Sequence, residues 1–172
     1  MATILFDQIV FGPIHSRRLG SSLGVNLLPR HGKVCSFDCL YCECGFNSDG
    51  KGDNRLPTYE EFCEALESKL TEIRNLNERI DTITFSGNGE PTVHPQFPSI
   101  ISEALRLRRK LFPLAKVSVL TNGSRINIPQ VKEALLSVDN AIIKLDSDFD
   151  LTVIDIDRHQ YKYSAAEMVN TL

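Results

Sequence analysis

A chain of 172 residues, 42% hydrophobic and 24% charged, has the size of one domain. It holds enough apolar material for a core, so its cysteines are not needed as the staples of a mini-protein. A net charge of −3 removes any global electrostatic case for nucleic acid. The opening run MATILFDQIVFGP lacks a basic n-region and a cleavable apolar stretch, and no later apolar run is long enough to span a bilayer. The expectation is one cytoplasmic domain over residues 1–172 with no membrane association.

In chain order, Thr3 to Phe11 is β-rich and ends at Gly12-Pro13, and a second strand is expected from Leu23 to Leu28, stopped by Pro29. Residues 29–57 follow as a long irregular loop rich in Gly, Asp and Asn; a loop of that length within a domain points to function. Thr58-Tyr-Glu-Glu61 has the form of a capping box, and Phe62, Leu66, Leu70 and Ile73 mark one face of the helix it opens. A strand over 81–85 runs into Ser86-Gly-Asn-Gly-Glu-Pro91. His94-Pro95 opens a helix with Phe97, Ile101, Leu105 and Phe112 inward. A strand over 116–120 ends in Thr121-Asn-Gly-Ser124, a helix covers 127–138, and a strand over 141–145 ends at Asp146. Two weaker helical stretches close the chain, near 150–155 and 164–172.

Strands alternating with helices at this spacing give parallel βαβ units with crossovers of one hand. In barrel-like α/β folds the working groups sit where loops leave the carboxyl ends of the strands. The cysteine loop, the Ser86–Pro91 turn, the Thr121–Ser124 turn and Lys144–Asp146 all fall on that one rim.

The loop carries Cys35, Cys39, Cys42 and Cys44, four of the five cysteines. Clustered cysteines without an export signal favour metal over disulfides. Two readings of the metal stand. Four thiolates would close a structural zinc site, with Cys42 and Cys44 tight at a single-residue spacer. Three thiolates, Cys35, Cys39 and Cys42 in C-x3-C-x2-C, would hold an iron–sulfur cluster and leave one iron open to a ligand.

The run Cys35-Ser-Phe-Asp-Cys39-Leu-Tyr-Cys42 resembles the cluster motif of the radical S-adenosylmethionine (radical SAM) superfamily, with an aromatic residue before the third cysteine. Ser86-Gly-Asn-Gly-Glu-Pro-Thr92 resembles that superfamily's glutamate-containing second motif. Gly12-Pro-Ile-His-Ser-Arg-Arg-Leu-Gly20 and Leu23-Gly-Val-Asn26 are similar to a subgroup of bacterial iron–sulfur oxidoreductases distantly related to the tRNA wyosine-synthesis enzymes. The resemblance implies a [4Fe-4S] cluster on Cys35, Cys39 and Cys42, with SAM chelated at the fourth iron. It implies reductive cleavage of SAM to a 5′-deoxyadenosyl radical that takes hydrogen from a substrate the sequence does not name, and a one-electron donor, flavodoxin or ferredoxin. It places Tyr41 beside the adenine and the Gly87–Gly89–Glu90 backbone at the methionine amino group. By position, Asn122, Ser124, Lys144 and Asp146 reach the methionine carboxylate or the ribose.

The same resemblance implies a partial TIM-like (βα)6 barrel. Only about four strands follow the first, so the last one or two βα units are expected to be missing. An uncovered parallel edge then calls for an oligomer, a partner chain or a large substrate. A truncated, non-catalytic cluster-binding chain is a further alternative. Cys63 reads as a buried apolar residue, and His94 as part of a helix start or a substrate contact. Arg17 and Arg18 read as cluster-side donors or a solvated turn. Arg106, Arg108, Arg109 and Lys110 read as cations suited to a helix C-terminus, or as a tRNA contact.

Overall fold

The computed structural model describes residues 4–49, 54–147, 155–160 and 164–171. Five strands form a single sheet in the sequential order β1 (Val10–Ser16), β2 (Gly20–Val25), β3 (Thr82–Phe85), β4 (Lys116–Thr121) and β5 (Asn140–Ile143). β1 is antiparallel to β2, and every later pairing is parallel. Helices α1 (Tyr59–Asn75), α2 (Phe97–Leu111) and α3 (Pro129–Ser137) make the crossovers, and a short α4 (Ala165–Thr171) follows. The sheet never reverses its winding, so the three crossover helices lie side by side, α1 against α2 and α2 against α3.

The two faces of the sheet have different chemistry, as the period of two requires. Leu23, Ile83 and Val117 are in register, as are Val25, Phe85 and Val119, and all six belong to the buried core with the helices. The opposite face carries small hydroxyls. Ser22 Oγ meets Thr84 Oγ1 at 2.8 Å, Thr82 Oγ1 meets Ser118 Oγ at 2.8 Å, and Asn140 Nδ2 donates to Ser118 Oγ at 3.0 Å. This hydrogen-bonded row crosses β2 to β5 and satisfies polar groups that would otherwise be buried at a cost.

The helices form where their caps and apolar faces predict. Thr58 and Glu61 make the reciprocal capping box, and Phe62, Leu66, Leu70 and Ile73 are fully buried. α2 buries Phe97, Ile101 and Leu105 and packs Phe112 partly against the core, but it starts at Phe97. The expected opening at His94-Pro95 is not helical: His94 caps the end of a separate 3₁₀ turn, Pro91–Val93, whose N-cap is Glu90.

Two strands differ from expectation. β1 begins at Val10 and continues through Gly12-Pro13, where a cis bond and a bulge between Phe11 and Ile14 accommodate the proline. An edge strand tolerates proline because its missing N–H has no partner to lose. Residues before β1 tie the sheet to the loops at its rim. Phe6 exchanges hydrogen bonds with the Asn88 side chain, and the Ile4 N–H donates to the Glu43 carbonyl. β2 ends at Val25 because Asn26 turns its side chain onto the backbone, donating to the Leu28 carbonyl and accepting from the Leu28 N–H. Of the two weaker helical stretches, the second is α4. The first lies mostly outside the described residues, which show one helical turn at 155–157. Among the described residues no helix is long and apolar enough to cross a membrane, and β5 pairs with β4 alone.

Candidate functional site

The carboxyl ends of β2 to β5 surround a cavity of about 480 Å³. Its walls come from Cys35, Cys39, Cys42 and Cys44 of the loop after β2 and from Gly87, Gly89 and Glu90 after β3. Thr121 and Asn122 at the end of β4, and Lys144 and Asp146 after β5, complete the polar lining. Leu120, Ile142, Ile143 and Leu145 supply an apolar side, and Arg18 reaches the cavity from the β1–β2 turn. All five cysteines are free thiols, and Cys63 stands apart, packed against the core from α1.

The cysteine loop has little regular structure and is held by side chains. Asn47 is the central latch: its Oδ1 accepts from the Cys35 N–H at 3.0 Å, and its Nδ2 donates to the Cys35 carbonyl at 3.1 Å. The ammonium of buried Lys33 donates to Asp38 Oδ1 at 3.1 Å and to the Gly45 carbonyl at 3.0 Å. Burial pulls the Lys33 pKa down, but Asp38 and the nearby Cys42 and Cys35 outweigh it, and the net shift is upward. A tight turn closes with the Cys42 N–H on the Cys39 carbonyl at 3.2 Å.

The Ser86–Pro91 turn is the floor on which that loop rests. Asn88 is fully buried and donates to the carbonyls of Phe6 and Pro29. Gly89 has φ +134°, and an added Cβ would stand 2.0 Å from the Val34 carbonyl oxygen; one at Gly87 would stand 2.3 Å from Asn26 Oδ1. Both glycines are therefore required by packing between turn and loop, independently of any ligand. The Glu90 carboxylate is buried, and both its oxygens accept hydrogen bonds. Oε1 accepts from the Thr92 N–H, Thr92 Oγ1 and Thr121 Oγ1 at 3.1, 2.6 and 2.6 Å, and Oε2 accepts from the Asn122 N–H at 2.7 Å. Burial pushes its pKa up while these four donors pull it down, and burial dominates.

The ends of β4 and β5 also turn inward onto the cysteine loop. Asn122 Nδ2 donates to Ser36 Oγ at 2.9 Å and lies 3.7 Å from Cys35 Sγ, and Ser124 Oγ meets Ser36 Oγ at 2.6 Å. Lys144 Nζ stands 3.2 Å from Asp146 and 3.5 Å from Cys39 Sγ, and it is paired closely with Asp157. The Tyr41 hydroxyl donates to Asp146 and lies 3.1 Å from Asp157 Oδ1, which fixes a side chain whose residue is 51% exposed. Burial, reinforced by the Asp146 bond, raises the Tyr41 pKa and keeps the phenol protonated.

The thiols differ in environment. Burial pushes Cys35 up to about 12, against the Phe37 N–H that donates to its sulfur at 3.4 Å. Burial raises Cys39 against the pull of Lys144. Cys42 is lowered, first by the hydrogen bond from the Cys44 thiol, and Cys44 is raised as the donor in the same bond. Among the described residues no three Cys, His, Asp or Glu side chains are gathered tightly enough to share a single metal ion.

Of the site residues expected from the sequence, Cys35, Cys39, Cys42, Gly87, Gly89, Glu90, Asn122, Lys144 and Asp146 line the cavity. Tyr41 and Ser124 adjoin it through Asp146 and Ser36. The basic run Arg106 to Lys110 lies late in α2, and His94 is buried away from the cavity. Its Nδ1 accepts from the Gln96 N–H at 3.1 Å and its Nε2 meets the Pro57 carbonyl at 2.8 Å. Sequence reasoning missed Asn26, Lys33, Asp38, Asn47, Thr92, Thr121 and Asp157. Their partners are distant in sequence or set by loop conformation, so periodicity gives no signal for them. Asn26 and Thr92 do fall at the ends of the Leu23–Asn26 and Ser86–Thr92 motif stretches, but residue type alone does not reveal their bonds.

A family model described as the radical SAM superfamily matches residues 30–171. Among curated proteins, the chain is 35% identical over 139 residues to a UPF0026 protein of Helicobacter pylori, covering 81% of this chain and 42% of that protein. It is 37% identical over 141 residues to a UPF0026 protein of Methanocaldococcus jannaschii, covering 81% and 40%. It is also 34% identical over 163 residues to a protein of Brachyspira hyodysenteriae named GTPase Obg, covering 95% of this chain and 22% of that protein. The chain thus spans less than half the length of each of these three relatives.

Proposed function

The chain belongs to the radical SAM superfamily, and from that premise we propose that it is an enzyme core in which Cys35, Cys39 and Cys42 ligate a [4Fe-4S] cluster with SAM at the remaining iron. Membership of the superfamily carries the cluster, SAM and the need for an electron donor. The observation that supports the residue assignment is the shared cavity, lined by these three thiols, the Gly87–Glu90 turn and the ends of β4 and β5. The donor set fits a cluster. Three thiols sit at C-x3-C-x2-C spacing, with a backbone N–H on Cys35 and an ammonium beside Cys39.

When bound and reduced, the cluster would supply the one electron that cleaves SAM, giving the radical chemistry by which hydrogen would be taken from a substrate. The chain's own residues hold and orient. Tyr41, anchored through its hydroxyl, presents a fixed ring for the adenine. The Gly87–Gly89 backbone faces the methionine end. Glu90 serves by its side chain as the tie between that turn and β4, through its bonds to Thr92, Thr121 and Asn122. Asn122 and Ser124 hold Ser36, and with it the loop, within reach of the SAM carboxylate. Lys144 and Asp146 border the ribose side. The apolar wall of Leu120, Ile142 and Ile143 excludes water from the reacting centre.

The proposal further reads the whole chain as one core domain with residues 29–57 as its cluster loop. It reads the sequential sheet as part of a (βα)6 barrel, the electron donor as a flavodoxin or ferredoxin, and the chain as one of a subgroup of iron–sulfur oxidoreductases distantly related to the tRNA wyosine-synthesis enzymes. An unpaired β5 edge among the described residues predicts association with a second chain, which sedimentation of the purified protein tests. The GTPase name of one relative is not extended to this chain, whose sequence contains no G-x4-G-K-[ST] phosphate loop.

Anaerobic reconstitution with iron and sulfide tests the reading. The expected result is broad visible absorption and, after dithionite, a low-temperature EPR signal that changes on adding SAM. Alanine at Cys35, Cys39 or Cys42 abolishes it, and Cys44→Ala does not. A colourless protein that carries one zinc and loses it with Cys44→Ala overturns the reading in favour of a structural zinc module.

A further inference from the structure

Asp157 does not belong to any motif, yet it is 2% exposed and sits beside the cysteine loop. Residues 155–160 reach it as a strap. The Leu40 N–H donates to the Ile156 carbonyl at 2.9 Å, the Asp38 N–H to the Asp157 carbonyl at 2.9 Å, and the Gln160 N–H to the Ser36 carbonyl at 2.8 Å. Alternate residues of the loop, 36, 38 and 40, are thereby bonded to one short segment far along the chain.

The strap brings one carboxylate against one ammonium. Asp157 pairs closely with Lys144, whose Nζ lies 3.5 Å from Cys39 Sγ. The rings of Phe37 and Tyr41 flank the same ammonium at 5.2 and 5.3 Å to their centroids. A lysine is a compact charge on a flexible stem and holds one position only when its surroundings fix it. Here a carboxylate, two ring faces and a second carboxylate, Asp146, do so.

We propose that Lys144 donates a hydrogen bond to the Cys39 thiolate and thereby raises the reduction potential of the cluster, and that Asp157 is the positioning residue that holds Lys144 there. The inference rests on Cys39 being a cluster ligand. Reduction adds negative charge to the cluster, and a hydrogen bond or cation at a ligand sulfur stabilises the reduced form more than the oxidised one. Among the described residues, the hydrogen-bond donors to Cys35 are neutral, Phe37 N–H and Asn122 Nδ2. Lys33 is the corresponding cation beside Cys42, whose pKa it helps the Cys44 thiol to lower, and it also donates to Asp38 and the Gly45 carbonyl. Among the described residues, Lys144 is the cation within hydrogen-bond distance of Cys39.

The test is a redox titration of the reconstituted full chain, followed by EPR. Lys144→Met and Lys144→Gln assemble the cluster at wild-type iron content but shift its potential to more negative values, and Lys144→Arg restores most of the shift. Asp157→Asn discriminates by sign. Loss of a nearby negative charge alone raises the potential, whereas release of Lys144 from Cys39 lowers it, and the proposal expects the lower value. An unchanged potential in both neutral Lys144 variants overturns the donor role, and a raised potential in Asp157→Asn overturns the positioning role. Failure of the wild-type chain to bind any cluster overturns the functional reading itself, and this inference with it.

Discussion

A Cβ on Gly89 would stand 2.0 Å from the carbonyl oxygen of Val34, at a backbone φ of +134°. The same carbonyl accepts from the Glu90 N–H at 3.1 Å, and the Val34 N–H donates to the Asn88 carbonyl. One residue from the strand-end turn and one from the cysteine loop thus share a contact that admits no side chain. Gly89→Ala must both adopt a conformation that side chains avoid and displace backbone. The expected loss is more than about 3 kcal/mol in urea unfolding of the apo chain, with failure of cluster assembly on reconstitution. An alanine variant of wild-type stability would show that the turn and the loop are not packed as described.

His94 predicts how stability varies with pH. Burial lowers its pKa below the usual 6.5, against the Pro57 carbonyl that its ring N–H meets. The folded chain therefore binds this proton less readily than the unfolded one. The stabilisation is complete above pH 6.5 and is lost as pH falls through the lowered folded value. Glu90 acts in the opposite sense from its usual carboxylate range upward, because its folded pKa is raised. The comparison that isolates the histidine is the difference between wild type and His94→Gln. Their Cm values should converge as pH falls below 6.5. Parallel curves would remove His94 as the titrating group.

Much of this molecule is visible in its sequence because its signals are local. The Thr58–Glu61 box and the four apolar residues of α1 lie within a few turns of each other, and the structure places them as their spacing requires. The C-x3-C-x2-C run and the Gly-Asn-Gly-Glu turn also announce themselves by residue type. What the sequence did not disclose depends on partners far apart in the chain. Asp157 matters because Lys144, Tyr41 and Cys39 happen to meet it. Asn47 matters because it returns to Cys35. The role of the turn glycines is also misleading in sequence alone. A bare backbone suggests close approach to a ligand, and the structure shows that Val34 and Asn26 already require it. The first strand is displaced for a similar reason: Gly12-Pro13 looks like an end unless the strand lies at an edge.

The α1 cap offers a measurement free of the site. Thr58 Oγ1 accepts from the Glu61 N–H at 3.2 Å, and the Glu61 carboxylate accepts from the Thr58 N–H at 2.8 Å. Thr58→Ala leaves a helix-end donor without its side-chain partner and should cost about 1 kcal/mol in Cm-derived stability. Cluster content should not change, because the cap lies outside the cavity lining. A loss of cluster in this variant would mean that the entry of α1 controls the loop before it.

Glu90→Gln tests whether the motif's glutamate works by structure. Its two oxygens serve different donors: Oε2 faces the Asn122 N–H, and Oε1 faces the Thr92 N–H and two threonine hydroxyls. The hydroxyls can rotate to become acceptors, but the two backbone N–H groups cannot. A glutamine amide has one acceptor oxygen, so in either orientation its NH₂ confronts one of those fixed donors. That leaves a buried donor unpaired and one charge-assisted bond lost. The expected cost is about 2–4 kcal/mol for a change that conserves size. Glu90→Asp keeps the charge but is too short to span from Thr92 to Asn122, so it too should loosen the end of β4. Both variants should then bind SAM weakly while still assembling a cluster on Cys35, Cys39 and Cys42, because Glu90 bonds to Thr92, Thr121 and Asn122 rather than to a cysteine. A Glu90→Gln protein with unchanged stability and unchanged SAM-dependent EPR would show that the carboxylate is neither a ligand contact nor the tie between β3 and β4.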